Sequence, residues 1–212
     1  MKRANFDNDN VLAVFTDKGL GNLGFHLGSL KGELLKNKEF LMKELGLREL
    51  VWMNQVHGNK VEIVSGSKRG LKNERDGMIT AEKGLALMVA VADCLPILFY
   101  DPNKRVIGVA HAGREGVFKN IVAELISKMI ANFGVNPKNI LVSVGPGIQA
   151  CCYDFKGVFL DLPKMVREQL IEAGVLGKNI EIFPICTKCD ANYFSYRRNK
   201  KTGRFAGVIM LK

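Results

Sequence analysis

Histidine is the scarcest chemistry-bearing residue in this chain: His26, His57 and His111 are the whole complement. Three imidazoles cannot build the histidine-rich copper cluster that reduces dioxygen, so composition alone argues against multicopper oxidase chemistry. No apolar run approaches the ~20 residues of a membrane-spanning helix, and the opening Met1-Lys2-Arg3-Ala4-Asn5-Phe6-Asp7-Asn8 is too polar for a signal peptide. Cysteines number five, an odd count that fits a reducing compartment, where thiols serve as ligands, nucleophiles or core residues rather than staples. No proline- or serine-rich linker and no repeat divides the 212 residues. One compact domain over 1–212, in the cytoplasm, is therefore expected.

What is present clusters around two of the histidines. In the stretch from Asp93-Cys94-Leu95 to Val109-Ala110-His111, two apolar runs flank Asp101-Pro102-Asn103-Lys104, where Pro102 fixes φ between turn-forming side chains. A hairpin with an even loop would pair Tyr100 with Arg105 and set Cys94 directly opposite His111. Cross-strand neighbours share a face with Cβ atoms about 4.5–5.5 Å apart. A thiolate and an imidazole so placed reach one ion at about 2.3 Å and 2.0–2.1 Å. His57 closes the run Leu50–Val56 and precedes Val61–Val64, which predicts a second hairpin with His57 at its turn. Taken singly, His57 reads more readily as a packed or hydrogen-bonded histidine, and Cys94 as a small buried hydrophobe.

The remaining pattern mixes strands and helices. Short β-branched runs predict strands over 11–16, 50–56, 61–64, 85–91, 97–100, 106–110, 140–144, 180–183 and 207–211. Several follow one another with no helix between, so the sheet cannot be wholly parallel. Apolar residues at three- and four-residue spacing predict helices over 33–45, from 117 to Gly134, and one carrying Leu162, Met165, Val166 and Leu170 before Gly174. The helix beginning beyond Gly113-Arg114-Glu115-Gly116 offers a phosphate site at its positive end beside His111; a plain strand-to-helix turn that needs glycines fits the same residues.

The segments Asn54-Gln55-Val56-His57-Gly58, Ala92-Asp93-Cys94-Leu95-Pro96, His111-Ala112-Gly113, Gly145-Pro146-Gly147-Ile148 with Cys151-Cys152-Tyr153, and Phe194-Ser195-Tyr196-Arg197-Arg198 with Thr202-Gly203-Arg204 resemble, in order, the motifs of the YfiH-like family. This is the laccase-domain or polyphenol oxidoreductase group, now regarded as purine nucleoside phosphorylases. The resemblance implies a single layered α+β domain of mixed sheets with helices packed outside. It also implies a zinc site made by His57, Cys94 and His111, and phosphorolysis of adenosine, inosine or methylthioadenosine, with deamination of adenosine as a further activity. Asp76 matches an aspartate of the family and is taken as a catalytic residue with Cys94, His111 and Gln55. Gln55 shares strand parity with His57 and is expected to contact substrate; Arg197 or Arg198 is expected to hold phosphate. Asp93 is expected on the opposite face from Cys94, as a supporting carboxylate.

The chain departs from the family where His-Ala-Gly is usually followed by Trp, a basic residue and Gly: here Arg114-Glu115-Gly116 follows. His26 stands where an asparagine is usual, as a residue of the pocket or of a loop. Three rivals remain. Copper on the same trio would serve a phenol oxidoreductase, Cys94 with His111 alone would make a metal-free cysteine hydrolase, and a lost activity would leave a binding module.

Charge and the remaining cysteines complete the reading. The net charge of +10 gathers partly in 197–204. No nucleic-acid module surrounds it, so the expected partners are a purine nucleoside and phosphate, not nucleic acid or membrane, in a monomer or homodimer. Cys186-Thr187-Lys188-Cys189 would need two further ligands to hold a structural ion, and the adjacent pair Cys151-Cys152 is a poor chelate. No second metal or redox role is expected there.

Overall fold

The computed structural model describes residues 1–24, 31–66 and 74–212. Two mixed β-sheets lie face to face. One runs, in spatial order, β1 (Lys2–Arg3), β2 (Val11–Phe15), β13 (Phe205–Leu211), β6 (Leu85–Val91) and β3 (Glu49–Trp52). The other runs β12 (Ile180–Ile182), β9 (Leu141–Val144), β7 (Leu95–Asp101), β8 (Val106–Ala112), β5 (Gly77–Thr80) and β4 (Val61–Ile63). A small hairpin pairs β10 (Asp154–Phe155) with β11 (Val158–Phe159). The helices are α1 (Lys31–Leu45), α2 (Arg114–Phe118), α3 (Ile121–Phe133) and α4 (Leu162–Glu172). The α+β class with mixed sheets is as expected: β3 with β6, β4 with β5 and β12 with β9 pair parallel, and the other ladders antiparallel. No described helix is long and apolar enough to cross a membrane.

The period-two alternation of the strands decides what each face touches. On β8, Val106, Ala110 and Ala112 join a core that also holds Ile121, Val122, Leu125, Ile126 and Met129 of α3, so this face lies under the helices. Ile107 and Val109 instead meet Phe15, Leu87, Phe205 and Ile209 between the sheets. On β7, Leu98 and Tyr100 have the inter-sheet face, Ile97 and Phe99 the helical one. Cys94 and His111 share the inter-sheet parity, and they stand at the end of the sandwich, where the packed core stops. A third core under α1 joins Leu41 to Leu50, Met88 and Val208 on the outer face of the five-stranded sheet.

Four expectations need correction. In the β7–β8 hairpin Tyr100 faces Ile107 and His111 faces Pro96, not Cys94. The loop holds four residues, because Asp101 Oδ1 accepts from the N–H groups of Asn103 (2.8 Å) and Lys104 (3.2 Å) and Arg105 takes a left-handed φ of 53°. The slip is two residues, which leaves every side chain on the face expected of it. The second predicted hairpin does not exist: its two runs belong to different sheets, the first stops at Trp52, and His57 (φ 61°) lies in the crossing between them. The helix predicted from 117 is two helices, because Asn120 adopts a left-handed conformation and caps α3 by accepting from Ala123 N–H at 3.1 Å. Finally, β1, β5, β10 and β11 were not foreseen; β5 matters most, because Asp76 immediately precedes it.

Candidate metal and substrate site

Three separate chain segments deliver the trio. Cys94 leads into β7, His111 ends the inter-sheet face of β8, and His57 comes from the crossing after β3. Their ligand atoms all lie within 4.8 Å of one another. The two imidazoles meet edge to face, with centroids 4.7 Å apart and planes at 74°.

Asp76, wholly buried, ties the arrangement together. Its carboxylate accepts from His111 Nδ1 at 2.7 Å and from the backbone N–H groups of His57 (3.0 Å), Gly58 (2.6 Å) and Val56 (3.3 Å). One side chain thus folds the His57 turn and orients the His111 ring. With Nδ1–H donating to Asp76, Nε2 of His111 faces the space shared with Cys94 and His57 and offers a lone pair there once its proton is displaced, the tautomer and backing that metal-ligating histidines use.

The electrostatics follow from this packing. Burial pushes the Cys94 thiol up, but His111 and His57 beside it outweigh burial and hold it down at about 6. Burial pushes His111 down, but Cys94 and Asp76 outweigh it and raise the imidazole to about 9. Burial likewise opposes the Asp76 charge, yet His111 and the N–H groups of Gly58 and His57 leave it below the usual carboxylate range. Near neutral pH the pair is a thiolate facing an imidazolium, and a divalent cation would take over the attraction that the proton now supplies.

The donor set, two imidazoles and one thiolate, is one that zinc accepts, and three protein ligands leave a further position open. Space is kept for it. A Cβ on Gly113 would come within 2.9 Å of Cys94 Sγ and 3.0 Å of His57 Cδ2. Gly116 is required for a different reason, since a Cβ there would sit 2.9 Å from the Gly58 carbonyl, where α2 packs on the His57 turn. That helix has only five residues.

A cavity of about 860 Å³ opens over the trio, walled among others by Trp52, Gln55, Tyr153, Arg197 and Arg204. Gln55 lines it while its amide pairs with the Ala90 backbone, Nε2 donating to O (2.8 Å) and Oε1 accepting from N (2.9 Å). Asp93 accepts from Thr187 Oγ1 and from Arg197 N–H, both at 2.7 Å, so this carboxylate anchors the segment that carries Arg197. Arg197 donates through Nη1 to the Asp154 carbonyl at 2.9 Å and lies 4.9 Å over the Tyr153 ring. Arg198 is not in the cavity wall. Its guanidinium donates to the carbonyls of Thr187 (2.8 Å), Lys188 (3.0 Å), Asp190 (3.3 Å) and Tyr193.

Sequence reasoning did not single out Arg204, Tyr153 or Lys38 as cavity residues. Arg204 and Tyr153 stand inside motifs already quoted, and that position was the available signal. Lys38 lies 3.7 Å over Trp52, and burial pushes its ammonium down to about 7; nothing in the spacing of α1 marked it. Arg114, where the family has an aromatic, lies at the cavity too, 3.8 Å over Phe155 and paired with Glu115 at 2.7 Å. His26 lies outside the described residues. The four cysteines for which no metal or redox role is expected nonetheless come together: Cys151, Cys152, Cys186 and Cys189 bring all four sulfurs within 4.8 Å of one another.

The chain matches the family described as multi-copper polyphenol oxidoreductase laccase over residues 17–159 and 156–212. It is 36% identical to a purine nucleoside phosphorylase of Streptomyces coelicolor over 90% of this chain and 87% of that one. It is 31% identical to the purine nucleoside phosphorylase YlmD of Bacillus subtilis over 99% and 92%. Among solved structures, the hypothetical protein YfiH of Bacillus licheniformis superposes with a TM-score of 0.90 at 29% identity, over 95% of this chain and 93% of that one. YlmD of Geobacillus stearothermophilus does so with a TM-score of 0.90 at 29% identity, over 96% and 93%. The chain belongs to this laccase-like, YfiH-type family.

Proposed function

We propose, on the premise of that membership, that the chain is a zinc-dependent purine nucleoside phosphorylase, with residues 1–212 acting as one catalytic domain in the cytoplasm. The carrying observation is that His57, Cys94 and His111 bring their donor atoms within 4.8 Å at the foot of a cavity large enough for a nucleoside and phosphate. Relatives named as purine nucleoside phosphorylases supply the reaction class.

In this reading His57, Cys94 and His111 hold the ion, and Asp76 fixes His111 and the His57 turn. A zinc ion with an open position supplies Lewis-acid polarisation of an oxygen or nitrogen ligand and activation of bound water. Arg197 and Arg204 bring positive charge to the cavity wall, where a phosphate nucleophile needs it. Tyr153 and Trp52 offer flat apolar surface to a purine, and Gln55 edges the same wall. Phosphate attacks the anomeric carbon as the ribose–base bond breaks, giving free base and ribose 1-phosphate. The substrates proposed are adenosine, inosine and methylthioadenosine, with deamination of adenosine as a side reaction.

One observation favours a second reading. Asp76, His111 and Cys94 stand in line as carboxylate, imidazole and thiolate, the arrangement of a metal-free cysteine hydrolase. Copper on the same three ligands is the other alternative, and it is the one the family description names. The test is one assay: protein stripped of metal, then reloaded with zinc or with copper, given nucleosides with and without phosphate. Base and ribose 1-phosphate formed only with zinc and phosphate is the expected result. Base released at the same rate without phosphate, turnover by stripped protein, or phenol oxidation by the copper form would each overturn it.

A further inference from the structure

Cys151, Cys152, Cys186 and Cys189 play no part in the site above. We propose that these four thiols form a second, closed metal site that binds one zinc ion as a structural tetrathiolate centre.

The spacing carries the proposal. Four sulfurs placed tetrahedrally around zinc at about 2.3 Å stand about 3.8 Å from one another. Here Cys152 and Cys189 are 3.4 Å apart, Cys151 and Cys189 4.0 Å, and no pair of the four exceeds 4.8 Å. A disulfide would need an S–S distance of about 2.05 Å. It would also use only two of the four thiols.

The backbone is shaped for the purpose. Cys186-Thr187-Lys188-Cys189 is the two-residue spacing that structural zinc sites use, and it closes as a turn, with Cys189 N–H and Asp190 N–H both donating to the Cys186 carbonyl at 3.1 and 2.9 Å. The N–H groups of Gln149, Lys188 and Cys189 point at the Cys186 sulfur, as they do around a thiolate ligand. The second pair sits in its own turn, where Cys152 N–H donates to the Gln149 carbonyl at 3.0 Å. The two turns are laced together by Thr187 N–H on the Gly147 carbonyl at 3.1 Å. The adjacent pair, a poor chelate by sequence, stands in the second of these turns with both sulfurs within 4.8 Å of the other two.

Charge and access agree. Four thiolates around a divalent ion leave two negative charges, and Arg198 is bound to the carbonyls of Thr187 and Lys188 in the same turn. Cys151 and Cys189 are exposed, so an ion can enter from solvent. Binding forms four sulfur–metal bonds and releases to solvent the protons the thiols carry, with no change of oxidation state.

The centre would join two walls of the cavity. One turn leads to Tyr153. The other holds Thr187, whose hydroxyl fixes Asp93, which in turn fixes Arg197. It would therefore act as a brace for the substrate wall and take no part in chemistry.

Metal counting on zinc-grown protein tests this apart from any activity. Two zinc ions per chain are expected in the native protein, one in His111→Ala and one in Cys189→Ser. The Cys94→Ser protein, stripped and titrated with cobalt(II), should still show the strong thiolate-to-cobalt absorption of a tetrahedral sulfur site. That absorption should fall sharply when Cys186→Ser is added, and the Cys94→Ser titration itself leaves the four-cysteine cluster intact. A single zinc that disappears with His111→Ala, or no thiolate–cobalt absorption in Cys94→Ser, would overturn the proposal. So would a native mass two hydrogens light from a Cys152–Cys189 disulfide.

Discussion

The two sulfur-bearing centres of this molecule are built on opposite plans. Cys94, at the start of one strand, and His111, on its neighbour, stand at the end of the sandwich, with a carboxylate behind His111 and a cavity in front. The four other cysteines stand in two turns near the surface, with backbone N–H groups around one sulfur and no imidazole among them. The first plan sets three donors and leaves a side open, which suits chemistry; the second surrounds its centre with four, which suits support. The difference lies in what positions the donors. Strand register and a buried acid hold the first centre even when it is empty, because Asp76 bonds His111 and the His57 turn directly. The second has only turn hydrogen bonds, so it depends on its ion for rigidity.

The sharpest way to break this comparison is His111→Ala. Losing a ligand removes the ion and with it several kcal/mol of transition-state stabilisation, so kcat/KM for adenosine phosphorolysis should fall by about 10³-fold or more. Steady-state kinetics with metal counting would show it. Activity within tenfold of the native value would mean that the open centre does no chemistry.

Asp76→Asn comes next. The amide keeps one acceptor oxygen, which can serve either His57 and His111 or Gly58 and Val56 but not both sets, and it loses the charge that backs His111. Zinc should bind about 10–100-fold more weakly, the usual penalty for removing a carboxylate behind a ligating histidine. Stability should fall by about 1–3 kcal/mol, because buried N–H donors lose a charged partner. Competition against a chelating dye and thermal unfolding measure the two separately; a large loss of stability with unchanged affinity would make Asp76 a folding residue only.

A smaller effect concerns protons. Cys94 takes up its proton below about 6, and His111 keeps its own up to about 9. Between those limits the pair holds one proton, on His111, and that proton must leave when both side chains bind an ion. Zinc uptake should therefore release about one proton from this pair, and affinity should rise with pH by about one decade per unit in that window. Calorimetry in buffers of different ionisation enthalpy counts the proton, and comparing native protein with Cys186→Ser assigns it to the strand-held centre.

Much of this was legible from residues alone, and the reasons differ by element. The parity that puts Cys94 and His111 on one face survived an error in register, because period two tolerates a slip of two. Strand 85–91 is β6 as read, since an almost wholly buried run between turns has no competing period. Asp76 was named only through resemblance; its hydrogen bonds to residues about twenty and thirty-five positions away leave no local pattern. The His57 hairpin failed for the same reason, because a partner distant in sequence shapes that turn. The four-cysteine cluster was dismissed on local geometry, and the fold brings its halves together across more than thirty residues. Sequence reports which residues share a face far better than which turns meet.

The smallest expected effect separates Arg197 from Arg198, which adjacency makes equivalent in sequence and the fold does not. Arg197 lines the cavity and keeps donors beyond its single bond to Asp154; Arg198 donates to four carbonyls of the segment that carries Cys189. Arg197→Ala should raise the KM for phosphate by about tenfold, the value of one charge-assisted hydrogen bond at the low end of its range, about 1.5 kcal/mol. Its Tm should move little. Arg198→Ala should lower Tm by a few degrees, since four carbonyls, those of Thr187 and Tyr193 in half-buried contacts, lose their donor, and the KM for phosphate should stay near native. Lys201→Ala, on the exposed turn beyond them, should change stability by no more than about 0.5 kcal/mol and leave KM alone. Kinetics at varied phosphate and a melting curve for each variant decide the matter. A KM effect at Arg198 as large as that at Arg197 would mean that phosphate is held by the loop's conformation as a whole, and the assignment of one arginine to the anion would be withdrawn.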